Sequence, residues 1–241
     1  MTVTYQPGLV LLSILVAILG SLTALALTSG RAAGAAGWRA KLALANGGLM
    51  MGLTIWSMHF IAMMAVDVPV PVTYNLAETL GSVAVAIVAT GFGLYLAATR
   101  RLGPWSVPVG GTLMGLGIAG MHYMGMSAIR GCGLAYDAGL VAASIAIAVV
   151  ASMAALWFAF VQRGVMMTVA GGVVQGLAIA SMHYTAMAAT HFLPLEAAPN
   201  FAAPLFPQST LAWMIAFGVA LMSLTNFTFV GFISMQRNKP G

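Results

Sequence analysis

Seven runs of about twenty or more apolar residues divide this chain, at approximately Gly8 to Thr28, Leu42 to Val66, Glu78 to Thr99, Trp105 to Ile129, Ala138 to Val161, Met166 to Thr190 and Ser209 to Met235. Each is long enough to cross roughly 30 Å of hydrocarbon as a helix. In lipid, only helices and closed barrels satisfy every backbone N–H and C=O. The runs therefore predict an all-α, polytopic membrane protein with seven transmembrane helices. With 5% of its residues charged, against about a quarter in a soluble domain, the chain could not cover itself with a polar surface. The first run has no basic residue before it and exceeds the length of a signal-peptide core, so it is read as a retained helix.

The few charges orient the helices, because Lys and Arg favour cytoplasmic ends. Arg31, Arg39, Lys41, Arg100, Arg101, Arg163, Arg237 and Lys239 follow the first, third, fifth and seventh runs. Asp67, Glu78, Asp137 and Glu196 lie in the opposite loops, where Arg130 is the one basic residue. This places the N-terminus outside and the C-terminus inside. The net charge of +5 is thus a topology signal beside an anionic leaflet rather than a nucleic-acid footprint. One cysteine, Cys132, excludes an intrachain disulfide.

The even-numbered runs repeat. GGLMMGLTIWSMHFIAM from Gly47, GGTLMGLGIAGMHYMGM from Gly110 and GGVVQGLAIASMHYTAM from Gly171 superpose without gaps, spaced by 63 and then 61 residues. That spacing is one helix pair with its loops. Residues 1–241 then form a single domain with repeats at about 42–101, 105–163 and 166–235, three helix hairpins preceded by one N-terminal helix. Helices 2, 4 and 6 run parallel, so equivalent residues share a depth, and these helices are expected at the centre. Gly48 and Gly52, Gly111 and Gly115, and Gly172 and Gly176 carry the small-xxx-small spacing of close helix packing.

Each copy holds a histidine, His59, His122 or His183, about 10 Å below the outer boundary by helix rise. A methionine precedes each one (Met58, Met121, Met182), and another follows four residues later on the same helical face (Met63, Met126, Met187). Imidazole with thioether suits a soft or borderline metal, Cu(I) above all. Zinc would recruit thiolate or carboxylate, and the motif has neither. The next residue is Phe60, Tyr123 or Tyr184, and the two tyrosines are expected to support the ligands from outside. His191 continues the His183 stripe outward, and Asp67 holds the same place after His59; both are candidates for metal entry. Gln175 and Asn226 are polar groups expected to bond across helices.

The copies MHFIAM, MHYMGM and MHYTAM resemble the MHYT domain, a bacterial integral membrane sensor module, and the resemblance covers approximately residues 8 to 235. It implies a domain of the bacterial inner (cytoplasmic) membrane that binds copper near its outer face and senses oxygen, carbon monoxide or nitric oxide. Carried over by residue, the implied ligands are Met58, His59, Met121, His122, Tyr123, Met182, His183 and Tyr184. Phe60 and Met124 depart from the motif, and Thr185 alone completes its four letters. Relatives continue into diguanylate cyclase, phosphodiesterase or histidine kinase domains. Here only Gln236 to Gly241 follow Met235, so the expected output is a separate cytoplasmic signalling protein, with no soluble output domain in the chain itself.

Two other functions fit the same residues: a haem b sensor, since histidines across a membrane bundle also hold haem, and copper handling or delivery. An enzyme is not expected, because neither a nucleophile–base constellation nor a phosphate-binding loop is present.

Overall fold

The structure, a computed structural model, describes residues 3–28, 38–99, 101–161, 164–194 and 205–237, with the side chains of residues 39, 223 and 225–237 excepted. Arg31, Arg100, Arg163, Glu196 and Lys239 lie outside the described residues, as do the side chains of Arg39, Asn226 and Arg237. The apolar runs form α1 (Pro7–Thr28), α2 (Trp38–Met64), α3 (Leu76–Thr99), α4 (Ser106–Ser127), α5 (Ala138–Phe160), α6 (Val165–Ala188) and α7 (Gln208–Arg237). Local chemistry sets several starts. Pro7 opens α1, where its missing N–H costs nothing. Asn75 Oδ1 accepts from the Glu78 amide at 3.1 Å, and Asp137 Oδ1 from Leu140 at 2.8 Å, capping α3 and α5.

Five of the helices, α1, α2, α3, α5 and α6, are long and apolar enough to cross a membrane. Glycines at 110, 111, 115, 117, 120 and 125 dilute the hydropathy of α4. The apolar stretch of α7 within the described residues runs from Gln208 to Met222.

Helices α1 to α6 close into a ring in chain order, with α6 returning to α1 and α2, α4 and α6 meeting one another inside it. The glycine pairs make this ring. In the GG doublet that opens each copy, the second glycine packs its even helix on the next odd one: a Cβ at Gly48 would lie 2.5 Å from Gly91 Cα, at Gly111 2.6 Å from Met153 Cα, and at Gly172 2.7 Å from Leu22 Cα. The first glycines, Gly47, Gly110 and Gly171, lie against Thr28, Gly93 and Ala155 on the preceding odd helix. Close approach thus joins even to odd helices.

The odd helices carry a matching repeat. YQPGLVLLS at Tyr5, YNLAETLGS at Tyr74 and YDAGLVAAS at Tyr136 lead into buried stripes of Ser13, Ala17 and Ser21, Ser82, Ala86 and Thr90, and Ser144, Ala148 and Ser152. Larger residues such as Leu19, Val88 and Val150 face outward. Small residues inside and bulky apolar ones outside is the arrangement expected when lipid is the solvent.

Short strands staple one end of the ring. β1 (Thr4–Tyr5) pairs antiparallel with β2 (Val66–Asp67), β3 (Thr73–Asn75) with β4 (Ile129–Arg130), and β5 (Gly133–Tyr136) with β6 (Thr190–Leu193). β7 (Leu205–Pro207) adds to the free edge of β3. Three equivalent backbone bonds continue the pattern, from Gln6 to Ala65 (2.8 Å), Asn75 to Ala128 (2.8 Å) and Asp137 to Ala189 (2.9 Å). The strands therefore join α1 to α2, α3 to α4 and α5 to α6. Helix α7 packs outside the ring, on α2. Arg130, the exception to the charge pattern, pairs with Glu78 at 2.8 Å at this same end.

Candidate metal centre

The inner helices bring His59, His122 and His183 to one level, each 1–2% exposed. Their Nδ1 atoms form a nearly equilateral triangle with sides of 3.1, 3.2 and 3.2 Å. The rings stand nearly perpendicular to one another, at 76–83°. Neutral imidazole carries one N–H. Three such nitrogens facing each other cannot all be paired by protons, because some lone pairs must oppose.

A cation at the centre removes that conflict. The centre lies about 1.8 Å from each nitrogen, close to the roughly 2.0–2.1 Å of a metal–imidazole bond. The residues therefore fit a metal ion, and the three histidines are the group among the described residues that could hold one. The Nδ1 atoms are the ones that converge, and each Nε2 is buried without a hydrogen-bond partner in the protein.

The six motif methionines, Met58, Met63, Met121, Met126, Met182 and Met187, are all buried in the same core. The aromatics at the next position turn edge-on to their histidines, with centroid distances of 4.6 Å for Phe60 and 4.9 Å for both Tyr123 and Tyr184. The tyrosine hydroxyls reach away from the triangle. Tyr123 is 2.8 Å from Ser144 Oγ and Tyr184 2.8 Å from Ser13 Oγ. Those serines donate to the Val141 and Val10 carbonyls, so the tyrosines are the donors in each pair. Ser82, opposite Phe60, makes the same bond to Thr79 O. The tyrosines fix the inner helices to the outer ones. Tyr184→Phe and Tyr123→Phe are each expected to cost about 1 kcal/mol of stability and to leave metal stoichiometry unchanged, measurable by thermal unfolding and elemental analysis.

Sequence reasoning missed the strand tyrosines that close each sector: Tyr5 against Tyr184 (6.4 Å), Tyr74 against Phe60 (6.0 Å) and Tyr136 against Tyr123 (5.6 Å). The Y-x7-S spacing in the odd helices is the signal that finds them. Burial, with Cys132 adding, pushes the Tyr74 hydroxyl up to about 12, and burial also raises the Cys132 thiol. Both stay protonated and unreactive at neutral pH.

Asp67 and His191 sit exposed on β2 and β6, away from the group formed by the three histidines. Two turns below the triangle, Met51 accepts from Ser21 at 3.7 Å and Gln175 donates to Ser152 at 3.5 Å. Met51 and Gln175 thus engage outer helices, as expected for a cross-helix bond from Gln175.

The chain matches the MHYT family, described as the N-terminal repeat of bacterial signalling proteins, over residues 1–41, 52–111, 115–172 and 176–231. It is 44% identical over 196 residues, 78% of its length, to the bifunctional diguanylate cyclase/cyclic di-GMP phosphodiesterase MucR of Pseudomonas aeruginosa. It is 36% identical over 194 residues (77%) to the cyclic di-GMP phosphodiesterase NbdA of the same organism, and 34% identical over 197 residues (79%) to the signaling protein YkoW of Bacillus subtilis. These matches cover 28% of MucR and 24% of each of the other two. No solved structure matches the chain. The chain belongs to the MHYT family of membrane signalling domains.

Proposed function

We propose that this chain is a copper-binding sensory module of the bacterial inner membrane, spanning it seven times with the strand-stapled end outside. The observation that carries this reading is the triangle of Nδ1 atoms with sides of 3.1–3.2 Å, buried in an apolar bundle. A triangle of that size takes one ion. His59, His122 and His183 would hold it, and Met58, Met121, Met182, Met63, Met126 and Met187, buried on the same three helices, carry the donor atom that favours Cu(I). Bound copper would supply a soft cation able to take a diatomic ligand or exchange an electron.

The orientation rests on charge. Asp67, Glu78 and Asp137 lie at the strand end, and Lys41 and Arg101 lie at the other.

The protein's own part is to hold the imidazoles and to pass a change in them onward. α2 carries His59 and supports α7 on its opposite side, where Thr54 Oγ1 meets Met222 Sδ at 3.6 Å. A shift of α2 is thus felt by α7, outside the ring. The relatives' names make cyclic di-GMP enzymes the class of output that such a shift would serve.

The same distances count against haem b. Axial imidazoles stand on opposite faces of a porphyrin, and nitrogens this close leave no room for one between them. Copper transport gains nothing from Met51 and Gln175, which bond to outer helices.

Elemental analysis tests the reading: the purified chain is expected to hold one copper, and the triple variant His59→Ala, His122→Ala, His183→Ala none. Equal copper in both would end it.

A further inference from the structure

Three residues after each histidine the repeat places a small residue: Ala62, Gly125 and Ala186. They are not interchangeable. The His59 ring lies against the backbone of α4 at Gly125, where a Cβ would stand 2.4 Å from His59 Nε2, 2.9 Å from Cδ2 and 3.4 Å from Cε1. Contacts under 3.0 Å force something to move. The ring can yield only at the expense of its place in the site: its Nδ1 lies 3.1 Å from His122 and 3.2 Å from His183, and its flank meets Phe60 at 4.6 Å. Moving Nε2 away from α4 therefore moves Nδ1 out of the triangle.

The geometry points to Gly125 as the positioning residue of the metal centre: the missing side chain on α4 is what lets the α2 imidazole reach its two partners. This rests on the metal reading above and adds to it a role for the glycine that one copy carries where the other two carry alanine. The site depends on one glycine for one of its three ligands.

The test is a Cu(I) titration of the full chain in detergent against a competing chelator, on wild type, Gly125→Ala, Gly120→Ala, His59→Ala and the double variant His59→Ala with Gly125→Ala. Gly120 is the control on the same helix, since a Cβ there would meet only Val85, at an ordinary 3.7 Å. Gly125→Ala is expected to weaken copper binding at least about tenfold, the low end for loss of a supporting interaction at a metal site. Gly120→Ala should match wild type. In the His59→Ala background, Gly125→Ala should add nothing, because the group it displaces is already gone.

Wild-type affinity in Gly125→Ala, or an equal further loss in the double variant, overturns the proposal. A wild-type chain that takes no copper removes the metal reading instead. Imidazole NMR of the metal-free chain then decides the packing alone: Gly125→Ala must shift the His59 ring signals and leave those of His191 in place. Unmoved His59 signals overturn the proposal.

Discussion

Replacing His122 alone by alanine is expected to lower copper affinity by at least about a hundredfold, the upper end of what loss of an outer partner costs a metal site. The three nitrogens lie 3.1–3.2 Å apart, so removing one leaves a two-coordinate remnant and a cavity lined by apolar side chains. Two measurements follow this. Chelator competition reads the affinity directly. Thermal unfolding with and without copper reads it by linkage, because a ligand that binds only the folded state adds about 2.7 kcal/mol at a hundred times its dissociation constant. The wild type should show that rise and the variant should not.

Without metal the variant need not be less stable. Three converging imidazole nitrogens buried in the bundle are imperfectly satisfied, and removing one relieves part of that conflict even as it opens a cavity. A variant that keeps its copper-induced rise would place the ion elsewhere.

The second large effect concerns the closure of the ring. A Cβ at Gly176 would lie 2.4 Å from Ile18 Cα and 2.9 Å from the Ala17 carbonyl carbon. Both are backbone atoms, so no rotamer change can relieve the clash and α6 must part from α1. Gly176→Ala is expected to cost about 1–3 kcal/mol as overpacking, and adding Gly172→Ala, which would meet Leu22 Cα at 2.7 Å, should deepen the loss. Gly8→Ala, where nothing lies within 4 Å, is the control and should unfold at the wild-type temperature. Because α6 carries His183, the double variant should lose copper affinity as well as stability. Equal melting temperatures across the series would mean that the helices do not meet at these glycines.

The even helices were legible because glycine, histidine and methionine each leave a mark at fixed offsets, and three copies in register make the mark hard to miss. The odd helices repeat equally well, yet Ser13, Ala17 and Ser21 read as part of one more apolar run. Their inward face is marked by small size, and size has no hydropathy signal. The strands escaped notice because each is two to four residues long, too short for any alternation to register. They join α1 to α2, α3 to α4 and α5 to α6 at one end of the ring.

At the site, sequence placed His59, His122 and His183 at one depth. Which ring nitrogen faces inward was beyond it, since that depends on side-chain torsions fixed by neighbours. The tyrosines show the same limit. Tyr123 and Tyr184 are expected from their position to support the ligands from outside, but that their hydroxyls reach Ser144 and Ser13, far away in sequence, is visible only in the structure. Gly125 carries no mark of its own in the sequence, because its contact with His59 crosses from one helix to another.

X-ray absorption at the copper edge, on the purified chain loaded with Cu(I), tests the central claim most directly. One ion per chain with imidazole nitrogens from three histidines in its inner shell is the expected result. Copper bound through sulfur alone, or through fewer than two imidazoles, would contradict it.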